Sequence, residues 1–521
     1  MKRYDVTRKV AALALTLAAL ATGAAHATDQ ALLDALVRKG ILSDKEAQQI
    51  EAEVANEEAA AAAAPAPPPQ SKLKLGDWVQ ELKLYGDIRF RYQYDTSEPQ
   101  IPKAPNQTDY PGVSQRSRWR FRLRLNADFQ LNDHLFGGFG LQTNAAADSA
   151  NQTFGQGYDN YSIFINKAFL GVTPLEGLTF IVGKQANPFY TTDLFWDPDI
   201  FPQGLVERLD FHKFFDLSFG RAAAGPAPSG EGKDGKAPAA PPPPAGPAPN
   251  GLELSLIAGQ FIFFDNNEYN HNSALTGNIN TDAYQFETQL LARLKLGPNF
   301  SFTLAPAVFV TNDAEVGAAG NPPYTLLNEH AFQGNQRDEL ILLAPGDLSF
   351  KVGKLPVKLY WDLAYNTRGV DRWNREYGPL YSDVRFNATR TAISGFPASS
   401  RLSPSFSDCF AWLVGLQVGQ NKKQGDWSIF GNFRQIGLAS IDPNINDSDF
   451  ALSNLNTQGF KFGLAYNLTD FAVLAVTGYI SWNLTERLYG GQANSFTDPT
   501  GTGIARDNAT NVLQVDLNVQ F

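Results

Sequence analysis

Apolar and polar residues alternate one by one over the last eleven residues of this sequence, Asn511 to Phe521. The apolar positions are Leu513, Val515, Leu517, Val519 and Phe521. Successive side chains of a β-strand point to opposite faces, so a strand here has one apolar face and one polar face. Such a strand fits a soluble sandwich, in which the apolar face is buried. It equally fits a membrane-spanning barrel, in which that face contacts lipid and the polar face lines a wet lumen.

The same alternation returns along most of the chain, and it is clearest in Leu82–Tyr94 and Arg116–Gln130. Ten further clear segments are Leu135–Thr143, Tyr161–Val172, Leu178–Gln185, Tyr284–Leu296, Phe300–Val310, Val357–Tyr365, Phe410–Val418, Trp427–Gln435, Gly459–Leu468 and Ala472–Leu484. Three weaker segments are Phe211–Gly220, Leu252–Ile262 and Asp347–Val352. With the C-terminal segment the total is about sixteen. Bacterial single-chain barrels have an even number of strands.

The links between these segments alternate in length. Short links such as Asn132-Asp133 and Thr469-Asp470 separate long polar links such as Asp95–Gln115, Asn366–Ser407 and Gly437–Asn456. Short periplasmic turns alternating with long outer loops are typical of outer-membrane barrels, whereas a soluble sandwich has no reason to keep this parity. We therefore predict an all-β transmembrane fold, an antiparallel barrel of about sixteen strands. A soluble adhesin or another secreted β-rich protein is the less favoured alternative.

Residues 1–27 are predicted to be a signal peptide. A basic start containing Lys2 and Arg3 precedes the apolar run Val10–Ala21, and Ala25-His26-Ala27 has the small-x-small pattern of a cleavage site. We therefore expect the chain to leave the cytoplasm.

Residues 28–70 are predicted to form a short helical periplasmic segment and an Ala/Pro-rich linker, because the linker composition has no core of its own. The segment is expected either to associate with itself or with the cell wall, or to have no partner. Residues 71–521 then form the barrel domain. Its Pro/Ala/Gly-rich insert at residues 221–250 is predicted to be disordered, and strand parity places it at a periplasmic turn.

The composition argues against several classes of function. Cys409 is the single cysteine, and the five histidines are scattered, so neither a disulfide framework nor a metal cluster is expected. No neighbouring strands offer a serine and a histidine on one wall, as a hydrolase would need. The formal charge of −10 argues weakly against nucleic acid as a partner. We therefore expect neither an enzyme nor a cofactor.

Several segments resemble the putative porin family of Gram-negative bacterial outer membranes. They are Leu32–Ile41, Tyr85–Arg89, Lys167–Leu170, Gly183–Phe189, Leu194–Gly204 and the terminal Phe521. The resemblance implies a porin of the cell outer membrane whose C-terminal aromatic residue, Phe521, is recognised by the barrel assembly machinery. Porins of this size often form trimers, so a homotrimer is also expected. The insert at residues 221–250 departs from the family pattern.

Arginines form the first candidate site, on two strands predicted to be neighbours. They are Arg89, Arg91, Arg118, Arg120, Arg122 and Arg124, and all share the polar parity. An arginine that faced lipid would destabilise the barrel by ~2–4 kcal/mol at the bilayer midplane. The six arginines are therefore predicted to face the lumen. There they form a basic wall that attracts anions. The alternative is that they pair with lumen carboxylates and only fill the barrel.

The segment Ala186–Asp210 is the second candidate site, because it is too apolar for a solvated loop. It follows the fifth predicted strand, where porins fold a loop inward to narrow the pore. Its candidate constriction residues are Asp193, Trp196, Asp197 and Asp199. An acidic loop opposite a basic wall would produce a transverse field. The alternative is a loop packed on the rim or at a subunit interface.

These features together predict a porin that spans outer-membrane lipid and lets small hydrophilic solutes diffuse passively through a water-filled channel. The alternative function is a substrate-specific channel that prefers anions.

Overall fold

The computed structural model describes residues 78–99, 114–146, 149–155, 157–214, 250–264, 283–312, 339–373, 385–386, 393–395, 404–484 and 507–521. The chain divides into Met1–Asp77 and Trp78–Phe521, and the first unit lies outside the described residues. The predicted signal peptide and helical segment therefore also lie outside them. The same holds for the predicted insert up to residue 249.

Sixteen strands form the wall of the barrel. They are β1 (Glu81–Pro99), β2 (Ser114–Gln130), β3 (Leu135–Thr143), β4 (Ile163–Leu175), β5 (Leu178–Lys184), β6 (Gln203–Asp210), β7 (Asn250–Phe264), β8 (Ala283–Leu296), β9 (Phe300–Leu304 and Ala307–Asn312), β10 (Leu340–Leu343 and Gly346–Val352), β11 (Leu355–Asn366), β12 (Phe410–Gly419), β13 (Trp427–Ile436), β14 (Thr457–Asn467), β15 (Ala472–Asn483) and β16 (Asp507–Gln520). Prolines interrupt two of them, Pro306 in β9 and Pro345 in β10, because proline cannot donate to the strand ladder.

Short elements accompany the wall. The pair Gln152–Thr153 adds to β2, and Arg385–Phe386 pairs with Ile393–Gly395 in a separate two-stranded sheet. In the described ranges the helices are α1 (Phe211–Phe214) and α2 (Gly369–Arg372), with 3-10 turns at Phe406–Cys409 and Ala451–Ser453.

Each wall strand pairs antiparallel with the next, and β16 pairs with β1, so that Leu517 lies opposite Phe90. The sheet is therefore closed, and the predicted sixteen-stranded antiparallel barrel is confirmed. Closure removes the unpaired edges that an open sheet would expose.

The two faces of the wall differ as the alternation predicts. Apolar side chains such as Leu84, Phe90 and Trp119 are exposed on the outer face. Polar side chains of the opposite parity, such as Gln93 and Arg122, are buried inside the barrel.

The sixth strand is the one element whose prediction was wrong. We expected it at Phe211–Gly220 after a loop ending at Asp210, but the strand is Gln203–Asp210, and α1 follows it. Residues 215–220 lie outside the described part of the chain. The segment 203–210 also alternates, with Val206 inside, but Glu207 on its outer face weakened the pattern.

The two ends of the barrel have different connections. The links 131–134, 176–177, 297–299, 353–354, 420–426 and 468–471 are short and lie at one end, the turn end. At this same end β6 ends at Asp210 and β7 begins at Asn250. The longer links begin and end at the opposite end of the barrel, the loop end. Two of these, residues 185–202 and 437–456, contribute buried side chains to the interior core.

Candidate functional site

Residues 185–202, the first inner loop, lie inside the barrel. Phe195 is 1% exposed, and its ring lies 5.1 Å from that of Phe309 on β9. The Thr192 hydroxyl donates to Asp362 on β11 at 2.8 Å, and the Tyr190 hydroxyl donates to Asp347 on β10. Because Asp347 and Asp362 point into the lumen, the loop is held against the inner wall rather than on the outer rim.

Residues 437–456, the second inner loop, meet the first one. The Asp197 amide donates to the Ile445 carbonyl at 2.6 Å, and the Ser448 amide donates to the Asp197 carboxylate at 3.0 Å. Sequence reasoning treated this segment as an outer polar link. The signal that could have revealed it is a set of apolar residues spread through it, Leu438, Ile441, Ile445, Phe450 and Leu455, all of which are buried.

A four-membered ion-pair network holds the two loops to the wall. Arg434 on β13 lies 2.8 Å from Asp193 and 3.2 Å from Asp447. Lys461 on β14 also contacts Asp193 and lies 3.3 Å from Asp447. Asp193 belongs to the first inner loop and Asp447 to the second. The two cationic side chains therefore hold both loops against the neighbouring strands β13 and β14.

The aspartates of this junction differ in their ionisation. Burial opposes ionisation of Asp193, but Arg434 and Lys461 outweigh it and lower its pKa below the ordinary range. Burial raises the pKa of Asp447 to about 6, although Lys461 and Arg434 act to lower it. Burial and the nearby Asp447 and Asp199 carboxylates raise the pKa of Asp197 well above its ordinary value. The surroundings therefore favour the ionised form of Asp193 and disfavour the ionised forms of Asp447 and Asp197.

The six predicted arginines line the inner face of β1 and β2, and four of them pair with carboxylates. Asp87 accepts from Arg122 and from Arg124, at 2.6 and 2.7 Å. Arg91 makes a bidentate contact with Asp516 on β16, at 2.7 and 2.9 Å. Arg118 lies 3.1 Å from Asp95. The alternative interpretation, pairing with lumen acids, thus describes these four residues.

The inner loops reach this basic wall through two aspartates. Asp199 of the first loop lies 3.4 Å from Arg124, and Asp449 of the second lies 3.3 Å from Arg91. Of the other predicted constriction residues, Asp193 and Asp197 are held within the loop junction. Trp196 is buried, and its indole nitrogen donates to the Ile200 carbonyl at 3.1 Å. Asp449, Asp516 and Asp87 were not identified from the sequence, because isolated aspartates have no local pattern.

Phe521 lies at the seam of the barrel, beside β1. Its amide and carbonyl exchange hydrogen bonds with Gly86, at 3.1 and 2.9 Å. Its ring is exposed on the outer surface.

In the part of the chain that the structure describes, no three His, Cys, Asp or Glu side chains are grouped to hold a metal ion. None of the described helices is long and apolar enough to cross a membrane.

A closed sixteen-stranded antiparallel barrel with an apolar outer face and a charged lumen defines the class of outer-membrane channel proteins. A family model described as "Putative porin" matches residues 70–340 and 379–521. The chain belongs to this porin family and is an outer-membrane porin. No curated protein matches the sequence.

Solved outer-membrane structures resemble the barrel. OmpF of Salmonella typhi, in complex with daunomycin, has a TM-score of 0.40 and 10% identity, over 84% of this chain and 97% of its own. An anion-selective porin from Comamonas acidovorans has a TM-score of 0.38 and 11% identity, over 85% of this chain and 99% of its own. The high-pH structure of OprB from Pseudomonas putida has a TM-score of 0.41 and 9% identity, over 84% of this chain and 94% of its own. The family assignment rests on the family model and not on these similarities.

Proposed function

We propose that this porin lets small hydrophilic solutes diffuse passively through a water-filled passage along the arginine wall, without a cofactor or an enzymatic step. The observation that supports this is the unequal filling of the lumen. The inner loops pack in an apolar core that includes Leu194, Phe309 and Leu413 and reaches β6, β7, β9–β13, β15 and β16, whereas none of its described buried members lies on β1–β4. Beside β1 and β2, Arg124 and Asp449 keep about a quarter to a third of their side-chain surface accessible to water.

Single-channel recording in planar bilayers tests this proposal. The full chain, folded in detergent, is expected to produce conductance steps that rise linearly with salt concentration. Correctly folded protein, identified by its heat-modifiable migration on gels, that shows no conductance would overturn the proposal. Protein that stays soluble without detergent would instead favour the adhesin.

A second candidate function is a channel that prefers anions, and two arginines favour it. Arg89 and Arg120 hydrogen-bond to neutral groups of the described chain rather than to carboxylates. The overall charge is −10, but charge farther than ~8–10 Å from the wall is screened at physiological salt. We therefore expect the local positive charge to determine selectivity. Replacing Arg120 and Arg122 by Glu should shift the reversal potential in a salt gradient toward cations. An unchanged potential would exclude this wall from the narrow part of the passage.

We also propose that the outer surface of β6 and β7 contacts another subunit of a homotrimer. Gln260 donates to Glu207 at 3.0 Å on the outer face, where a charged group facing lipid is unfavourable. Glu207→Leu should therefore lower the oligomer mass measured by light scattering in detergent. If Glu207 faces lipid instead, the same substitution should leave the mass unchanged and stabilise the barrel.

For residues 28–70 we propose contact with the cell wall, on the strength of the helical sequence pattern alone. The full chain in detergent should sediment with purified peptidoglycan, and a chain lacking these residues should not. Equal sedimentation of both would reject the contact.

A further inference from the structure

Two pairs of arginines face each other directly across β1 and β2. In the strand register Arg89 lies opposite Arg122, and Arg91 lies opposite Arg120. Like charges at directly opposite positions destabilise a strand pair, so each pair needs a compensating acceptor. One member of each pair has one, since Asp516 binds Arg91 and Asp87 binds Arg122.

In the part of the chain that the structure describes, the acceptors of the other two members, Arg89 and Arg120, are neutral groups. Arg89 donates through Nε, at 3.2 Å, and through Nη2 to the Asn151 side-chain oxygen. Arg120 donates to the Asn151 carbonyl at 3.0 Å, and to Gln93 and Ser149 at 3.2 and 3.3 Å. Arg120 is 9% exposed, and its buried Nε has no acceptor among the described residues. Both guanidinium groups therefore converge on Asn151.

The charge of the whole wall has the same imbalance. Among the described residues, seven arginines of β1 and β2 are in or beside it, and five aspartates pair with them: Asp87, Asp95, Asp199, Asp449 and Asp516. The described aspartates are therefore two fewer than the arginines. The two arginines that pair with none of these aspartates are the two that meet at Asn151.

Asn151 is held in place by the backbone around it. The pair Gln152–Thr153 continues the sheet on β2, with Thr153 opposite Arg120. The Asn144 side-chain amide donates to the Asn151 carbonyl at 3.1 Å, and Thr143 donates to the Ala150 carbonyl at 2.8 Å. This segment forms a fixed platform above two guanidinium groups, and the Asn151 side-chain oxygen accepts from both Nε and Nη2 of Arg89.

We propose that Arg89, Arg120 and the platform Ser149–Asn151 form a binding site for a small oxyanion, a carboxylate or inorganic phosphate. The ligand oxygens replace the Asn151 amide oxygen on Arg89 and supply the missing negative charge, because guanidinium groups match such oxyanions in geometry. The site lies on the passage wall, so the proposal rests on the proposed channel function and names the class of solute that the channel retains.

Substitutions at Asn151 separate this site from a general effect of charge. Asn151→Asp places a permanent carboxylate on Arg89, so the oxyanion should bind at least about tenfold more weakly. Asn151→Ala changes no charge but frees the Arg89 donors, so the oxyanion should bind several-fold more tightly. A wall that acts only through its total charge predicts no change for Asn151→Ala.

The test is block of single-channel current in planar bilayers at constant potassium chloride, with sodium phosphate and sodium acetate as the two probes. Each is added over a concentration series to the full chain and to the variants. Arg89→Gln and Arg120→Gln should each raise the half-blocking concentration about tenfold, the loss of one charge-assisted contact. Arg208→Gln is the matched control, because Arg208 faces the lumen on β6 and has its own partner, Asp210, at 2.8 Å.

The outcomes separate the site from the channel. Stronger block by phosphate or by acetate identifies which oxyanion the site prefers. A conducting channel that neither probe blocks would overturn the site and leave the proposed function intact. Equal effects of Arg89→Gln and Arg208→Gln, or no change with Asn151→Ala, would also overturn it. A folded chain without conductance would overturn the proposed function instead.

Discussion

Aspartates only two positions apart in the first inner loop have different surroundings. Asp197 is buried, accepts hydrogen bonds from the Asp199 and Ser448 amides, and has its pKa raised by burial and by neighbouring carboxylates. Asp199 instead faces the guanidinium groups of Arg122 and Arg124, at 3.9 and 3.4 Å. The sequence treats them as equivalent acids of a constriction, whereas only Asp199 reaches the basic wall.

We predict that Asp199→Asn shifts the reversal potential toward anions, because it removes a negative charge beside Arg124. Asp197→Asn should shift it much less, since Asp197 lies in the loop junction away from the basic wall and burial raises its pKa, which disfavours its charged form. The measurement is the reversal potential of both variants in the same potassium chloride gradient. A shift by Asp197→Asn as large as that by Asp199→Asn would contradict the assignment.

Asp447 leads to a prediction about pH. Its pKa is raised from 3.8 to about 6, so the protonated form is the one that the folded barrel favours. The contribution of this group to the free energy of unfolding is fully present below about pH 4 and is lost as pH rises through about 6. Asp447→Asn, which resembles the protonated form, should therefore raise the heat-modification temperature at pH 8 and change it little at pH 4. A lower temperature at pH 8 would mean that the Arg434 and Lys461 ion pairs dominate.

At the scale of elements, the two inner loops are held by both apolar packing and ion pairs. The first loop inserts Leu194 and Phe195 into the interior core, and the second inserts Ile445 and Phe450. The wall strands pair with their neighbours independently of these loops. The loops can therefore loosen while the barrel stays closed.

Phe195→Ala should loosen the first loop, because truncating a buried phenylalanine typically costs about 3–5 kcal/mol. We expect a larger and noisier single-channel conductance from a barrel that still folds. Phe139→Ala is the control, since Phe139 is exposed on the outer face of β3. Equal conductance in wild type and Phe195→Ala would show that the loop does not limit the passage.

At the scale of the whole molecule, the barrel closes where β16 meets β1. A Cβ added to Gly86 would lie 2.2 Å from the Arg124 carbonyl oxygen and 2.8 Å from the Phe521 ring. Gly86→Ala should therefore lower the heat-modification temperature and the yield of folded barrel. Gly431→Ala is a matched control on β13, because its nearest neighbour would be 3.8 Å away. A tolerated Gly86→Ala would mean that the seam is looser than its backbone hydrogen bonds indicate.

Phe521→Ala tests the proposed recognition by the assembly machinery. The Phe521 backbone bonds to Gly86 remain in this variant, so barrel refolded in detergent should keep nearly its original stability. In cells, the amount assembled in the outer membrane should fall several-fold. An equal loss in both settings would assign Phe521 a structural role only.

The sequence by itself determined the class of fold and the inward direction of the arginines. Both depend on the two-residue period of a strand, which is a local property of the backbone. Where alternation was weak, at Gln203–Asp210, the strand was misplaced, because an outward polar residue such as Glu207 removes the local signal.

Only the tertiary structure decided which charges meet. Arg91 and Asp516 are 425 residues apart, and Arg434 and Asp193 are 241 apart, so no local pattern could pair them. Barrel closure brings the first pair together, and the folding of a loop into the lumen brings the second. For the same reason, the sequence could not show that Arg89 and Arg120 donate hydrogen bonds to Asn151. That contact depends on the strand register and on the path of the loop, and the two-residue period gives information on neither.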